Sequence, residues 1–360
     1  MFKAVKVNRF PGVSLSIIWL GFTGLHLLCT GNNPVWNVVG NLPPFLFAVI
    51  PLYLLLWELL RRPRKLGAVG IVFVALLLGM TQTDFNWSYF NESAKSSANV
   101  KEIRIFNWNT SFWDQNKDRQ RFFEFLNQQK SDILILQEYL HAANEGSRIN
   151  QQRLFSICPA IAGFPRHYVE LDDRLQIRNT FPGFYFATLR QFVLISRFPI
   201  LASHLDSSEQ YAYYDLKIYG RVIRVFNVHI LLHLEMENPF RRGYYEALQR
   251  RFEGRKLAFR NLLRDLRLTQ TDYLIAGDFN STKAMGVMGN LLRETTDAVK
   301  YSSEVIPVTI TFNGLRLWRF DYVLLAKKAR HLKVKSFKIL DCAQLSDHNP
   351  QTVVLNLKLK

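Results

Sequence analysis

A carboxylate and a carboxamide two residues apart close the short apolar run Leu274-Ile275-Ala276-Gly277-Asp278-Phe279-Asn280. In an extended chain, residues i and i+2 point to the same side. Asp278 and Asn280 therefore leave the end of a buried strand toward one spot. The first is an anionic acceptor and the second offers both a donor and an acceptor. That pair suits a phosphate beside a divalent cation, or a water that must lose a proton. An ordinary Asx turn uses the same residues, and on this stretch alone the two readings stand level.

Other apolar runs end in the same chemistry. Ile105-Phe106 leads to Asn109, Ile133 to Leu136 leads to Glu138, and Val222 to Val228 leads to His229. A polar loop, Leu345-Ser346, delivers Asp347-His348 just before the last apolar run, Gln351 to Leu359. Asp321 sits within Arg319-Phe320-Asp321-Tyr322-Val323-Leu324-Leu325, where a carboxylate is costly unless paired or coordinated. Each residue alone has a plain structural explanation. Two His, three Asp, one Glu and two Asn, nearly all at strand ends, point instead to one shared site.

The elements that would position these residues interleave. Ile103 to Asn109, a helical face through Phe122, Phe123, Phe125 and Leu126, and Ile133 to Leu136 read as a βαβ-like unit. Strand-like runs follow at Tyr168 to Leu171, Phe184 to Leu189, Phe192 to Ile195, Tyr211 to Ile218 and Arg221 to Ile230, the last two joined as a hairpin at Tyr219-Gly220. Residues 239–268 carry the longest helix signal, and their many arginines read as a solvated face with snorkelling stems. Further strands are expected at Thr309 to Phe312, Leu317 to Leu325 and Leu332 to Leu340. Residues 139–165 read as a long surface segment. Hairpins without a regular βαβ repeat argue for a mixed layered α/β domain.

Six blocks also resemble the endonuclease/exonuclease/phosphatase superfamily in residues and in order: Asn107-Trp108-Asn109, Ile135-Leu136-Gln137-Glu138, Val225-Phe226-Asn227-Val228-His229, Gly277-Asp278-Phe279-Asn280, Arg319-Phe320-Asp321-Tyr322 and Ser346-Asp347-His348-Asn349-Pro350. Leu194 to Ile200 also looks like that group's strand and turn. The resemblance covers residues 101–360. It implies two packed mixed sheets flanked by helices, and metal-dependent hydrolysis of a phosphoester. It further implies that Glu138 is the main ligand of Mg²⁺ (or Mn²⁺ or Ca²⁺), with Asn109 beside it and Asp347 near the metal. Asp278 would orient or deprotonate water, and Asn280 would hold the phosphate. His229 would bond a phosphate oxygen or assist the leaving group, and His348 would contact the phosphate with its ring fixed by Asp321. Oxygen donors of this kind suit a hard cation. Phe320 stands where the pattern usually has Ile or Leu, a packing change. His233 has no counterpart and reads as a bystander. No position of the pattern is lost.

The first 82 residues lie outside the resemblance and contain one acid, Glu58. Apolar runs at about 12–30, 43–60 and 66–81 reach or approach the length of a membrane span. They predict an N-terminal three-helix transmembrane region, with 83–100 as a juxtamembrane linker bearing Trp87 and Tyr89. Basic residues at Lys3, Lys6 and Arg9 and again at Arg61-Arg62-Pro63-Arg64-Lys65 would face the cytoplasm. The large domain of an integral membrane protein, of bacterial type, would then lie on the extracytoplasmic side. Seven Lys/Arg against Glu58 give residues 1–82 a net +6, which leaves +11 of the chain's +17 for the remainder. A basic domain favours anionic partners: nucleic acid, phosphorylated small molecules or lipid head groups. The three cysteines show no zinc-type spacing, and Cys158 and Cys342 are candidates for a disulfide in an exported domain.

The leading expectation is a membrane-anchored, metal-dependent phosphodiesterase of nuclease type, with a lipid head-group phosphodiesterase or an inositol-phosphate-type phosphatase as alternatives. A non-catalytic membrane receptor for a phosphorylated ligand is the rival from another class. No protein partner is predicted.

Overall fold

A computed structural model describes residues 12–61, 65–90, 100–111, 118–139, 141–142, 154–155, 168–169, 173–233, 238, 240–312 and 314–359. The chain divides into two compact units. One comprises Met1–Phe85 with Lys283–Gly286, the other Asn86–Thr282 with Val287–Lys360.

The first unit is helical: α1 (Gly12–Cys29), α2 (Pro34–Val39), α3 (Leu46–Leu60) and α4 (Leu66–Met80). Asn33 caps α2, its side chain accepting from Val35 N and Trp36 N, with Pro34 in the first turn where its missing N–H costs nothing. Gly79 lets α4 lie against α3, since a Cβ there would come within 1.9 Å of the Phe47 carbonyl oxygen. His26 is fully buried among Phe47 and Trp36, and its Nε2 lies 2.9 Å from the Ala284 carbonyl oxygen. Burial holds this histidine below its usual range, opposed by that carbonyl.

These helices do not form the expected spans. α3 and α4 have 15 residues each, about 22 Å at 1.5 Å per residue, against a hydrocarbon core of about 30 Å. The second apolar run loses Pro43 to Phe45 to a turn before α3. α1, with 18 residues, carries the buried polar side chains of Ser16, Thr23 and His26. Among the described residues no helix is long and apolar enough to cross a membrane. That overturns the expected three-helix transmembrane region, and with it the integral-membrane localisation and the extracytoplasmic placement of the large domain, and leaves the membrane as a partner without support.

The second unit is the two-sheet α/β sandwich. Its elements are β1 (Val100–Asn109), α5 (Arg119–Gln128), β2 (Ile133–Gln137), β3 (His141–Ala142), β4 (Leu154–Phe155), β5 (Tyr168–Val169), α6 (Arg174–Thr180), β6 (Tyr185–Leu189), β7 (Phe192–Ser196), β8 (Ile200–Leu205), β9 (Tyr211–Ile218) and β10 (Arg221–His229). There follow α7 (Arg242–Leu268), β11 (Asp272–Asp278), α8 (Gly289–Glu294), β12 (Thr295–Asp297), β13 (Ile310–Phe312), β14 (Leu315–Trp318), β15 (Asp321–Ala326), β16 (Leu332–Ile339) and β17 (Gln351–Lys358). One six-stranded sheet has the order β16-β17-β1-β2-β7-β6 and the other β12-β15-β11-β10-β9-β8. The pairs β1/β2 and β10/β11 are parallel. A parallel pair needs a crossover, supplied by α5 and α7 respectively.

Alternation along the strands sends one face of each sheet inward. Ile103, Ile105, Ile133, Ile135 and Leu194 of the first sheet meet Tyr214, Val225, Leu274, Ala276 and Val323 of the second in one buried cluster. The outer faces are covered by helices. Phe259, Leu262 and Leu266 of α7 lie on Phe226, Ile275 and Leu324, and Phe122, Phe123 and Leu126 of α5 lie on Phe106, Leu134 and Leu136.

Two expectations change in detail. The run 317–325 is not one strand: it breaks at Arg319-Phe320, so Asp321 opens β15 rather than sitting inside a strand. Two arginines of α7, Arg251 and Arg255, are buried instead of solvated. Most of 139–165, including Cys158, lies outside the described residues.

Candidate active site

Strand register assembles the site. Across three neighbouring strands His229 pairs with Asp278 and Asp278 pairs with Asp321, which sets their side chains at the same level of the second sheet. Asn109 ends β1 opposite Gln137, so Glu138 follows at the same edge of the first sheet. The loop before β17 brings His348. Ser346 fixes that loop, its Oγ donating to the Asn109 carbonyl and accepting from His348 N. Trp108 Nε1 donates to the His348 carbonyl at 2.9 Å.

Backbone conformations off the usual basins mark the turning points. Glu138 has φ 50° and Asn280 φ 45°, a left-handed conformation that non-glycine residues adopt at some cost. Gly277 has φ +145°, and a Cβ there would meet the Val228 oxygen at 1.9 Å. Only glycine lets β11 approach β10 so closely just before Asp278.

Asp278 is the centre of the arrangement. One carboxylate oxygen accepts from Asn280 N at 2.7 Å and the other from Asn109 Nδ2 at 3.0 Å. The Nε2 atoms of both histidines face it, His348 at 3.7 Å and His229 at 3.9 Å. His348 Nδ1 lies 2.9 Å from Asp321 Oδ2. His229 Nε2 lies 3.2 Å from Glu138 Oε1 and its Nδ1 2.6 Å from Gln191 Oε1. Asn280 Nδ2 donates to the Ile230 carbonyl at 2.9 Å.

The electrostatics follow from burial and neighbours. Asp278 is raised to about 6, first by burial and then by the Asp321 charge, with both histidines and Asn280 pulling the other way. Burial opposes protonation of His348, yet the carboxylates of Asp321, Asp278 and Asp347 hold it well above the usual histidine range. Burial likewise opposes charge on His229 and Glu138. Their mutual hydrogen bond and attraction overcome it, raising His229 and lowering Glu138.

Of the sequence-derived residues, Asn109, Glu138, His229, Asp278, Asn280, Asp321 and His348 come together. Asp347 is exposed at the edge, with Oδ1 near Ser346 Oγ. Asn109 turns its nitrogen to Glu138 and Asp278, and its oxygen accepts from Ser111 N. Its amide bridges the two carboxylates in this geometry. His233 is buried beside Phe320, and burial together with Arg255 holds it well below the usual range.

Among the described residues, two groups could hold a metal ion: Glu138, His229 and Asp278, and Asp278, Asp321 and His348. In each, the potential ligand atoms lie within 4.8 Å of one another. Asp321 Oδ1 is buried without a hydrogen bond. Concentrated, largely buried carboxylate oxygen of this kind fits a hard divalent cation.

Beneath the site runs a layer of carboxamides. Gln137 Nε2 donates to Asn107 Oδ1 at 3.0 Å and to Asn227 Oδ1 at 2.6 Å. Asn107 Nδ2 donates to Gln351 Oε1 and Gln351 Nε2 to the Asp321 carbonyl. The layer joins β1, β2 and β17 of one sheet to β10 and β15 of the other, one to three residues from Asn109, Glu138, His229 and His348.

Sequence reasoning missed Gln191 and Arg255. Gln191 is a single amide in the turn between β6 and β7 and carries no spacing signal. Arg255 could have been found, because with Arg251 it falls on the apolar stripe of α7 alongside Leu248, Phe252, Phe259 and Leu262.

A two-sheet sandwich gathers carboxylates and histidines at its strand ends, an arrangement suited to hydrolysis of phosphate esters. The model of the Endonuclease/Exonuclease/phosphatase family matches residues 97–348, and the chain belongs to that family. A comparison with curated proteins finds no match. Among solved structures, an endonuclease/exonuclease/phosphatase from Bacteroides vulgatus is 18% identical, with 71% of this chain and 99% of that one covered and a TM-score of 0.49. The 3' phosphatase NExo from Neisseria, bound to product DNA hairpin, is 16% identical, covering 70% and 98% with a TM-score of 0.45. A humanized D. rerio TDP2 is 15% identical, covering 71% and 99% with a TM-score of 0.45.

Proposed function

We propose that this phosphoester hydrolase is a divalent-metal-dependent phosphodiesterase of nuclease type. The observation that carries the reading is the sharing of Asp278 between the two ligand groups. One buried carboxylate has Glu138 and His229 on one side and Asp321 and His348 on the other. A phosphoryl group placed there meets two imidazoles whose carboxylate neighbours favour the protonated form, and carboxylates that can hold a cation.

Glu138 is the principal cation ligand in this reading, with Asn109 bridging it to Asp278 and Asp347 supplying charge at the rim. A bound divalent cation supplies charge neutralisation at a phosphate oxygen. Asp278, raised to about 6, is ionised at neutral pH and basic enough to orient and deprotonate a water. Asn280 presents its side chain to the phosphate. His348, held protonated by Asp321, donates to a phosphate oxygen. His229, also raised, donates a proton toward the leaving oxygen. The net +11 of residues 83–360 supports a polyanionic substrate.

The test is a substrate panel in Mg²⁺: bis-p-nitrophenyl phosphate, p-nitrophenyl phosphate, single- and double-stranded DNA, RNA, and vesicles of phosphatidylcholine with sphingomyelin. Turnover of the diester and of nucleic acid, abolished by EDTA, is expected. Turnover confined to the monoester or the vesicles overturns the nuclease-type assignment, and no turnover of any ester overturns the enzymatic reading.

A further inference from the structure

Arg255 is fully buried in the middle of α7, far along the chain from every strand end of the site. An arginine completely removed from water is expensive unless its donors are satisfied. Here they reach two different segments. Nη1 donates to the Leu231 carbonyl, just beyond the end of β10. Nη2 donates to the Asn280 carbonyl at 3.1 Å and to Ser281 Oγ at 2.5 Å, just beyond the end of β11.

The two segments carry His229 and the Asp278–Asn280 pair. They also touch one another directly. Ile230 N donates to the Asp278 carbonyl at 2.9 Å, and Asn280 Nδ2 donates to the Ile230 carbonyl at 2.9 Å. One turn before Arg255, Arg251 Nη1 donates to the Leu232 carbonyl at 3.1 Å. Asn280 holds a left-handed backbone, and Ser281 Oγ donates back to the Phe279 carbonyl at 2.8 Å. A strained turn of this kind persists only when its surroundings over-determine it.

We propose that Arg255 is a positioning residue for hydrolysis: its planar guanidinium staples the Leu231 end of β10 to the Asn280–Ser281 turn and so fixes His229 and the Asp278–Asn280 pair in one geometry. The fork is what matters. Lysine keeps the charge but presents a point donor in place of a planar pair of N–H groups, so it cannot reach both segments in the same way. The inference rests on the reading above in which Asp278 and Asn280 face the reacting phosphate.

The experiment uses the full chain, Mg²⁺ and bis-p-nitrophenyl phosphate. Arg255→Lys and Ser281→Ala are measured for kcat, KM and Tm, with Arg260→Lys on the exposed face of α7 as the control. Misplacement of a reacting group by about 1 Å costs on the order of 100-fold in rate. Arg255→Lys is therefore expected to lose about 10- to 100-fold in kcat, and Ser281→Ala, which keeps the backbone bond, several-fold. KM stays within about twofold in both by the same reasoning. The decisive measurement is the double variant Arg255→Lys/Asn280→Ala. Because Arg255 acts in part through the Asn280 turn, the double variant loses less than the product of the two single losses. A merely structural arginine gives losses that multiply, and that result overturns the proposal. So does a folded Arg255→Lys with wild-type kcat while Asp278→Asn is inactive. Unchanged activity in Asp278→Asn overturns the underlying reading of the site instead.

Discussion

The two histidines of the site face the same carboxylate from opposite sides, and their backing differs. His348 is backed at Nδ1 by a buried carboxylate, Asp321, at 2.9 Å. His229 is backed at Nδ1 by a neutral amide, Gln191, at 2.6 Å, and finds its carboxylate, Glu138, at Nε2. The first ring is therefore charged from behind and presents a free donor edge to Asp278. The second is charged from the front, by a residue that also serves as a cation ligand in the proposed reading. One arm is backed by a carboxylate other than Glu138; the other shares its partner with whatever Glu138 holds. That asymmetry separates a stabiliser of charge from a donor and acceptor of protons.

The arms can be broken or exchanged. The largest effect is expected at the carboxylate they share. Asp278→Asn should reduce kcat by about 10²- to 10⁴-fold, the range for a positioned acid or base, measured on the diester in Mg²⁺. Next comes Asp321→Asn, which gives the His348 arm the amide backing of its counterpart. Loss of the charge and of the enforced tautomer should lower kcat by about 100-fold or more, and the His348 pKa should fall, read by NMR titration of the metal-free protein. A small change with wild-type kcat would equate the two arms. The reverse exchange, Gln191→Glu, gives His229 an anion at both nitrogens. The alkaline limb of the pH–rate profile should move upward, with kcat changed by roughly tenfold or less. Gln191→Ala should cost about tenfold without that movement.

The smallest effect is on stability. Asp278 titrates in the fold at about 6, above its unfolded value of 3.8. An acid raised in this way favours the fold below its unfolded pKa, and that contribution is lost as pH rises through about 6. Metal-free Asp278→Asn should therefore melt a few degrees higher than the wild type at pH 8, and the difference should vanish near pH 4. An equal or lower Tm at pH 8 would show that the two imidazolium neighbours fully offset the burial of Asp278. The catalytic counterpart has the opposite sign, since the ionised form is the one that works: kcat should fall on the acid side, and a bound cation, which favours the ionised carboxylate, should place that fall below the metal-free value of about 6.

The contrast between the two units explains what could be read from the sequence. In the sandwich, most of the candidate site residues follow an apolar run of strand length, so the period of two and the run's end locate them. That made Asn109, Glu138, His229, Asp278 and Asn280 legible within a mixed layered α/β domain, while His348 on its polar loop and the two-sheet arrangement were legible through the family resemblance. Asp321 was legible as a costly carboxylate but misplaced by four residues relative to the start of its strand, because Leu315–Trp318 and Asp321–Ala326 look like one run when the break at Arg319-Phe320 is unseen. In the helical unit the same signal misled. Apolar length counts residues without saying which are helical, and Pro43 to Phe45 belong to a turn. Buried polar groups such as His26 have their partners far away in the chain, at Ala284, which no local pattern shows. Gln191 and Arg255 escaped for the same reason: each acts on atoms brought near only by the fold.

The carboxamide layer beneath the site has a consequence for how the enzyme meets changing conditions. Asn107, Gln137, Asn227 and Gln351 carry no titratable group, and their hydrogen bonds tie both sheets together directly under residues whose charges all shift with pH. Protons can come and go from Asp278, His229 and His348 while the floor that spaces them is chemically indifferent to acidity. The site is a set of movable charges on an immovable grid, so a change of pH alters what the residues carry and leaves where they stand.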